Sequence, residues 1–322
     1  DYDVDRNKGF KAMIHPDDYL DHTGLYMLEP FRPDQIPVVM VHGLMSEPGV
    51  WLTALNALRA DPVLRRKYQL LVYRYPTGYP IIYNIASLRK QLEAFQQRHN
   101  PDGRSRVMGN MLLIGHSMGG VISNSLVRGS GDVFTNYLFT KPIDELSDLD
   151  GETKAALQDL LIFDPAPGVT RAILVAAPHR GSNIASNSIG ALGRALINLP
   201  TQALIDRPLL GVDGITEEGE RIVTSRPDSI SSLKPDAPVL KCILDVPVDE
   251  NIVVHSIVGK AKPHLPLEES SDGTVPYTSA HLDEAESEIV VHAKHTPLCS
   301  KPETIAEIRR ILYLHAGLGA PD

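Results

Sequence analysis

The segment Met111 to Ile122 reads Met-Leu-Leu-Ile-Gly-His-Ser-Met-Gly-Gly-Val-Ile, which places Ser117 at the centre of a G-x-S-x-G pattern. A serine hydroxyl is a weak nucleophile until a base takes its proton, and the chemistry this pattern serves is acyl transfer. The spacing has a steric cause. A buried-strand run ends at Gly115 and a helical pattern begins at once after Ser117, so the serine sits on a sharp turn whose flanking positions leave no room for side chains. Gly115 and Gly119 supply that clearance. The helix that follows would aim its positive N-terminal end at the Ser117 oxygen, where negative charge develops. His116, next to the serine on the same turn, reads as a packing residue, because a base must reach the oxygen from across the site.

Upstream, Val38 to Trp51 reads Val-Val-Met-Val-His-Gly-Leu-Met-Ser-Glu-Pro-Gly-Val-Trp, a strand that delivers His42 and Gly43 into a loop and then a helix. With both segments in view, the chain resembles the α/β-hydrolases of the lipase and carboxylesterase type. The resemblance implies two backbone N–H donors for an oxyanion: one from the residue after the His-Gly turn, here Leu44, and one from the residue after the serine, here Met118.

The same resemblance implies that the acid and the base follow the serine in chain order. Ser-Ser-Asp-Gly-Thr-Val-Pro-Tyr, Ser270 to Tyr277, comes after the strand-like run Ile252 to Val258, where the family places its carboxylate; Asp272 is therefore the expected acid. Glu268 and Glu269 precede it in the same loop, but only Asp272 stands in the Asp-Gly-x-Val-Pro pattern that resembles the family's acid loop. For the base there are two candidates: His292 falls within the run that also holds Ile289, Val290 and Val291, and His295 falls in the loop leading to Pro302. A strand position is fixed by the pleat whereas a loop position can bring an imidazole over the serine, which favours His295. Ala177 to Ser182 looks like the Pro-His-x-Gly-Ser turn that borders the cleft of bacterial lipases; it follows the wrong strand for a base, so His179 is expected to have a structural part. The strings Leu25 to Phe31, Tyr75 to Gly78 and Val275 to Leu282 resemble bacterial hydrolases that are often longer at the N-terminus and exported. The likeness runs from about Leu25 to His315.

These groups need elements to hold them. Apolar, β-branched runs recur at Pro37 to Val41, Leu70 to Tyr75, Met111 to Gly115, Ala172 to Ala177, Ile252 to Val258 and Glu288 to His292. Several are apolar on successive residues, as expected for a mostly parallel central sheet covered by helices on both faces. Helical periodicity marks Val50 to Leu64, Ile85 to His99, Met118 to Val127 and Pro302 to His315; in the last, Ile305, Ile308, Ile311 and Leu312 share one face. Two excursions, 128–170 and 182–250, exceed the ~2 to 6 residues of a usual connection and read as cap or lid insertions, with helical pattern at Lys154 to Leu161 and Ile189 to Ile197. Because Ser117, Asp272 and His295 must converge on one sheet edge, the expectation is one domain over 1–322 rather than two independent halves.

The 322 residues are 43% hydrophobic and 22% charged, enough apolar side chain for a substantial core. With 31 basic and 40 acidic residues the formal charge is −9, which argues against nucleic acid as a partner. The densest basic run, Arg65-Arg66-Lys67, reads as a solvated helix end. No apolar run approaches the ~18 to 20 residues of a transmembrane helix, and the chain begins at Asp1, so a targeting segment removed by processing is compatible with it. Cys242 and Cys299 make no disulfide framework and leave pairing open. The twelve histidines include no HExxH pair and no tight His/Asp cluster, so a catalytic zinc is not expected, and the acyl transfer that the resemblance implies needs no metal or organic cofactor. The resemblance implies hydrolysis of small-molecule, lipid or polymeric esters through an acyl-enzyme on Ser117. The same triad would also serve a polyester-hydrolysing esterase, a thioesterase or an acyltransferase, and the apolar residues of the two excursions fit either packing or an acyl pocket.

Overall fold

The computed structural model describes residues 8–182, 209, 211–225 and 228–319. Seven strands form one sheet in the order β1-β3-β2-β4-β5-β6-β7. They are β1 Gly24–Met27, β2 Ile36–Val41, β3 Tyr68–Arg74, β4 Met111–His116, β5 Val169–Val175, β6 Val253–Gly259 and β7 Ser287–Val291. Every neighbouring pair is parallel except β1 on β3. β4 lies in the middle, and its residues are buried along their entire length.

Each of the six runs read as strands overlaps one strand, with ends shifted by up to three residues. β1 was not foreseen. It is a four-residue edge strand whose outer end, Tyr26 and Met27, is exposed, so it lacks the continuous apolar signal of its neighbours. The expected helix over Val50 to Leu64 is broken: Leu52–Ala60 ends at Asp61, whose side chain caps a second helix, Pro62–Lys67, by accepting from the Val63 and Leu64 N–H groups. Pro62 cannot continue the first helix but suits the first position of the second. Arg65, Arg66 and Lys67 stand exposed in its last turn.

Side chains alternate across the sheet. Val39, Val41, Leu71, Tyr73 and Leu113 face a cluster that includes helix Ile81–His99 and the first excursion. Val38, Met40, Leu70, Val72, Leu112 and Ile114 face the other cluster, closed by helices Leu52–Ala60 and Pro302–His315. On the latter, Ile308, Ile311 and Leu312 are fully buried, each contributing roughly 1.5–3 kcal/mol of apolar burial, while Ile305 is partly buried at the margin. Cys242 belongs to the first cluster and Cys299 to the second; both are free thiols, separated by the sheet.

The first excursion ends where β5 begins at Val169, and it carries helices Val133–Leu138 and Gly151–Leu161. The second carries Glu217–Ser225 and Pro238–Asp245; the helical pattern at Ile189 to Ile197 lies outside the described residues. The two excursions are joined to each other by an antiparallel bridge between Phe139 and Ile215, by Thr140 N–H on the Gly214 carbonyl (2.8 Å) and by Thr216 N–H on the Leu138 carbonyl (2.9 Å). Among the described residues no helix is long and apolar enough to cross a membrane.

Candidate active site

β4 runs directly into helix Met118–Ser125, and Ser117 occupies the junction with φ 56° and ψ −125°, a conformation that L side chains rarely adopt. Its N–H is anchored to the Val175 carbonyl at 2.9 Å. The flanking glycines are required by contact. A Cβ on Gly115 would lie 2.6 Å from Ser123 Oγ, and one on Gly119 would meet the His42 carbonyl and lie 2.5 Å from that of Val41. Gly120 packs on Ala177, where a Cβ would approach to 2.6 Å.

His295 stands past the end of β7 and starts the short 3-10 helix Thr296–Ser300 as its cap. Ser117 Oγ donates to His295 Nε2 at 2.9 Å, and His295 Nδ1–H donates to Asp272 Oδ2 at 2.6 Å. Asp272 follows β6 and is buried; its Oδ1 accepts from the Thr274 and Val275 N–H groups at 2.8 and 2.7 Å. Gly259, the last residue of β6, makes room for it, since a Cβ there would lie 2.6 Å from Asp272 Cβ. The structure thus brings the three expected residues into one hydrogen-bonded line. Glu268 and Glu269 are both exposed. The sequence reading placed His292 within the last strand; that strand stops at Val291, and His292 lies in the exposed bend beyond it. The pleat ends earlier than the apolar pattern implied.

On the opposite side of Ser117, Gly43 comes so close that a Cβ would lie 2.8 Å from Ser117 Cβ. Leu44 and Met45 form the turn after it; Met45 has φ 55°, and its N–H meets Thr77 Oγ1 at 3.3 Å. Met118 is the first residue of its helix, so its N–H has no intrahelical acceptor. Leu44 also packs with Met13 and with Ile230 of the second excursion.

Three histidines around the site are buried and uncharged. His42 stacks on Tyr75 at 4.4 Å between ring centroids and donates from Nδ1 to the Gly43 carbonyl; burial, helped by Arg74, pushes its protonation down to about 4. His179 accepts from Asn124 Nδ2 at 3.2 Å, and burial, then Arg128 and Arg180, take it to about 3. Burial, with His295 facing it, holds His116 well below the usual imidazole range.

Behind His179, the nearly inaccessible Arg128 donates to Asn124 Oδ1 and to Glu284 (2.5 Å), and its guanidinium also meets the Val246 carbonyl. Glu284 in turn accepts from the Val248 N–H at 2.9 Å. The 178–182 turn grips the segment after the acid loop: Arg180 N–H donates to Ser279 Oγ, Ser279 Oγ donates to the Gly181 carbonyl, and Arg180 Nη1 donates to the His281 carbonyl at 2.6 Å. His281, clamped by Glu288 and Asp283, has its protonation raised, mainly by the hydrogen bond to Glu288. Sequence reasoning did not find Gly259, the two amides that seat Asp272, or the Arg128–Glu284 pair. Only the glycine that ends a strand left a trace in the chain, and it did not say what approached it.

The seven-stranded, mostly parallel sheet, with a serine on a strained strand-to-helix elbow and loops converging on it from the ends of β2, β6 and β7, defines the α/β-hydrolase fold, and the chain has that fold. Its similarity to solved structures is of the same kind. A Bacillus licheniformis lipase, BlEst2, in its mature form matches over 89% of this chain and 97% of its own, with a TM-score of 0.52 and 17% identity. The propeptide form of that lipase matches over 89% of this chain and 53% of its own, with a TM-score of 0.51 and 17% identity. No protein-family model and no curated protein matches the sequence.

Proposed function

We propose that the protein is a serine carboxylic ester hydrolase, and the observation that carries this reading is the line from Asp272 through His295 to Ser117, at 2.6 and 2.9 Å. In the first step the Ser117 oxygen attacks the ester carbonyl carbon while its proton passes to His295 Nε2. Asp272 holds the His295 tautomer and stabilises the imidazolium. The carbonyl oxygen, now negative, is met by the Leu44 and Met118 N–H groups; a single such donor is worth ~2.7–4 kcal/mol of transition-state stabilisation in comparable sites. Collapse expels the alcohol, which takes the proton from His295 and leaves the acyl group on Ser117. Water then attacks the acyl-enzyme with His295 again as base, releasing the acid and restoring the serine.

The protein resides in one catalytic domain, and the two excursions cap its site. Support for the cap comes from the second excursion, whose Ile230 packs with Leu44 and Met45. A neutral ester fits the formal charge of −9 better than a polyanionic substrate does. The mature lipase that shares the fold fits this reading.

The test is a fluorophosphonate probe followed by peptide mapping, together with p-nitrophenyl esters from short to long acyl chains, one emulsified triglyceride and one polyester film. Labelling of Ser117 and turnover of at least one ester are expected. A protein that neither labels nor hydrolyses any of them contradicts the reading.

A further inference from the structure

His116 is the buried titratable group closest to the reacting residues that the mechanism above leaves unused. It ends β4 with its ring directed to the face that carries Leu112 and Ile114, and it is 3% exposed. Three neighbours confine the ring. Trp51 meets it edge-on, with centroids 6.3 Å apart and planes at 88°. Gly43 lies against it, since a Cβ there would be 3.3 Å from His116 Nδ1. The His295 imidazole lies over it at 4.8 Å between centroids and 40° between planes. His116 Nε2 is 3.3 Å from the His295 carbonyl oxygen, whereas Nδ1 has no hydrogen-bond partner among the described residues.

An orphaned buried nitrogen is unfavourable, and a phenylalanine would fill similar space without one. What only the imidazole adds is the Nε2–H donated to His295. That bond joins a clamp. The His295 N–H is held by the Asp272 carbonyl at 3.0 Å and the His295 carbonyl also accepts from the Leu298 N–H at 3.4 Å, so His116 adds a second donor, from β4, to the contacts that grip the His295 backbone on both sides of its Cα. We propose that His116 is a positioning residue for the base, fixing through the His295 carbonyl the point from which the His295 ring reaches Ser117. This rests on the reading of His295 as the base.

The chemistry favours a neutral donor at this place. His295 becomes positive in each half-reaction, and a second charge stacked on it would oppose that step. Burial keeps His116 uncharged, with His295 and His42 the titratable groups that face it and oppose a charge there. Lysine or arginine could donate the same bond but would carry the charge.

The test compares His116→Phe, His116→Gln and His116→Asn in hydrolysis of a p-nitrophenyl ester, with thermal melts to establish folding. A glutamine amide nitrogen reaches about as far as Nε2, whereas that of asparagine stops near Nδ1. The expected result is a kcat about tenfold or more lower in the Phe and Asn variants with KM within about twofold, and kcat of the Gln variant within about threefold of the parent. Parent-like kcat in folded Phe and Asn variants overturns the proposal, as does a folded Gln variant as slow as Phe. If His116→Phe does not fold, the Gln and Asn pair decides alone. His295→Ala is run alongside: full turnover in that variant means the base itself was misassigned, a failure that the His116 series would not produce.

Discussion

His295 and Asp272 hold each other twice, through the side chains (Nδ1–H to Oδ2, 2.6 Å) and through the backbone (His295 N–H to the Asp272 carbonyl, 3.0 Å). The two carboxylate oxygens of Asp272 have separate duties, because Oδ1 is taken up by the Thr274 and Val275 amides. The carboxylate is therefore seated by its own loop before it ever meets the imidazole.

Asp272→Asn tests that division. The amide keeps one oxygen for the loop and turns an NH2 toward Nδ1, which disfavours the tautomer that accepts from Ser117. A fall in kcat of about three to four orders of magnitude is expected in ester hydrolysis, with a near-parent melting temperature. Asp272→Ala, which also empties the loop seat, should melt lower.

Ser117, the proposed nucleophile, also carries backbone strain, with φ 56° and ψ −125°. Ser117→Ala and Ser117→Gly should both lose hydrolysis by at least about a thousandfold. They should differ in stability, with the glycine variant melting above the alanine variant because the conformation costs of order 1–3 kcal/mol for a residue with a Cβ. Calorimetry of the two proteins decides; an alanine variant that melts higher would show the elbow to be relaxed.

Gly259 packs against Asp272, the proposed acid, from a distance in sequence. A methyl group there would lie 2.6 Å from Asp272 Cβ, so Gly259→Ala should push the carboxylate out of line and lower kcat about ten- to a hundredfold. The thermal midpoint should fall as well. Unchanged kinetics would mean that the acid loop yields freely.

The buried histidines set an acid limit. An unfolded imidazole takes up its proton near pH 6.5, whereas folded His42 and His179 resist protonation down to about 4 and about 3. Between those values the unfolded chain binds more protons, so stability must fall as pH drops from about 6.5 toward 4, with no loss from this source above 7. Thermal melts from pH 8 to 4.5 should show that shape, and His179→Gln should have a shallower acid slope. A melting temperature flat to pH 4.5 would contradict it.

What could be read in the chain divides along physical lines. β2 to β6 announce themselves because strands buried on both faces are nearly continuously apolar, and the edge strand β7 shows through its Ile289-Val290-Val291 run, while Gly24–Met27, half-exposed at the other edge, carries no such mark. Ser117 was legible because its constraint is local: Gly115 and Gly119 clear the turn on which it sits. Asp272 and His295 were reached through chain order and a resemblance to known loops. The amides of Thr274 and Val275 could not be reached at all, since every residue but proline has one and only the folded loop decides where it points. His116 was read as packing, and it does pack, but its tie to the His295 carbonyl joins positions 179 residues apart and leaves no local pattern.

The position of β4 in the sheet also determines how the protein should fail. Hydrogen-bonded on one side to β2 and on the other to β5, it holds Ser117 on the strand best shielded from solvent, whereas Asp272 and His295 hang from the ends of β6 and β7 at one margin. Local opening starts where cover is thinnest, so amide exchange should be slowest along Met111–His116 and faster along Ser287–Val291. On warming, His295 would then leave before Ser117, and the proposed hydrolysis would disappear while most of the sheet remained folded.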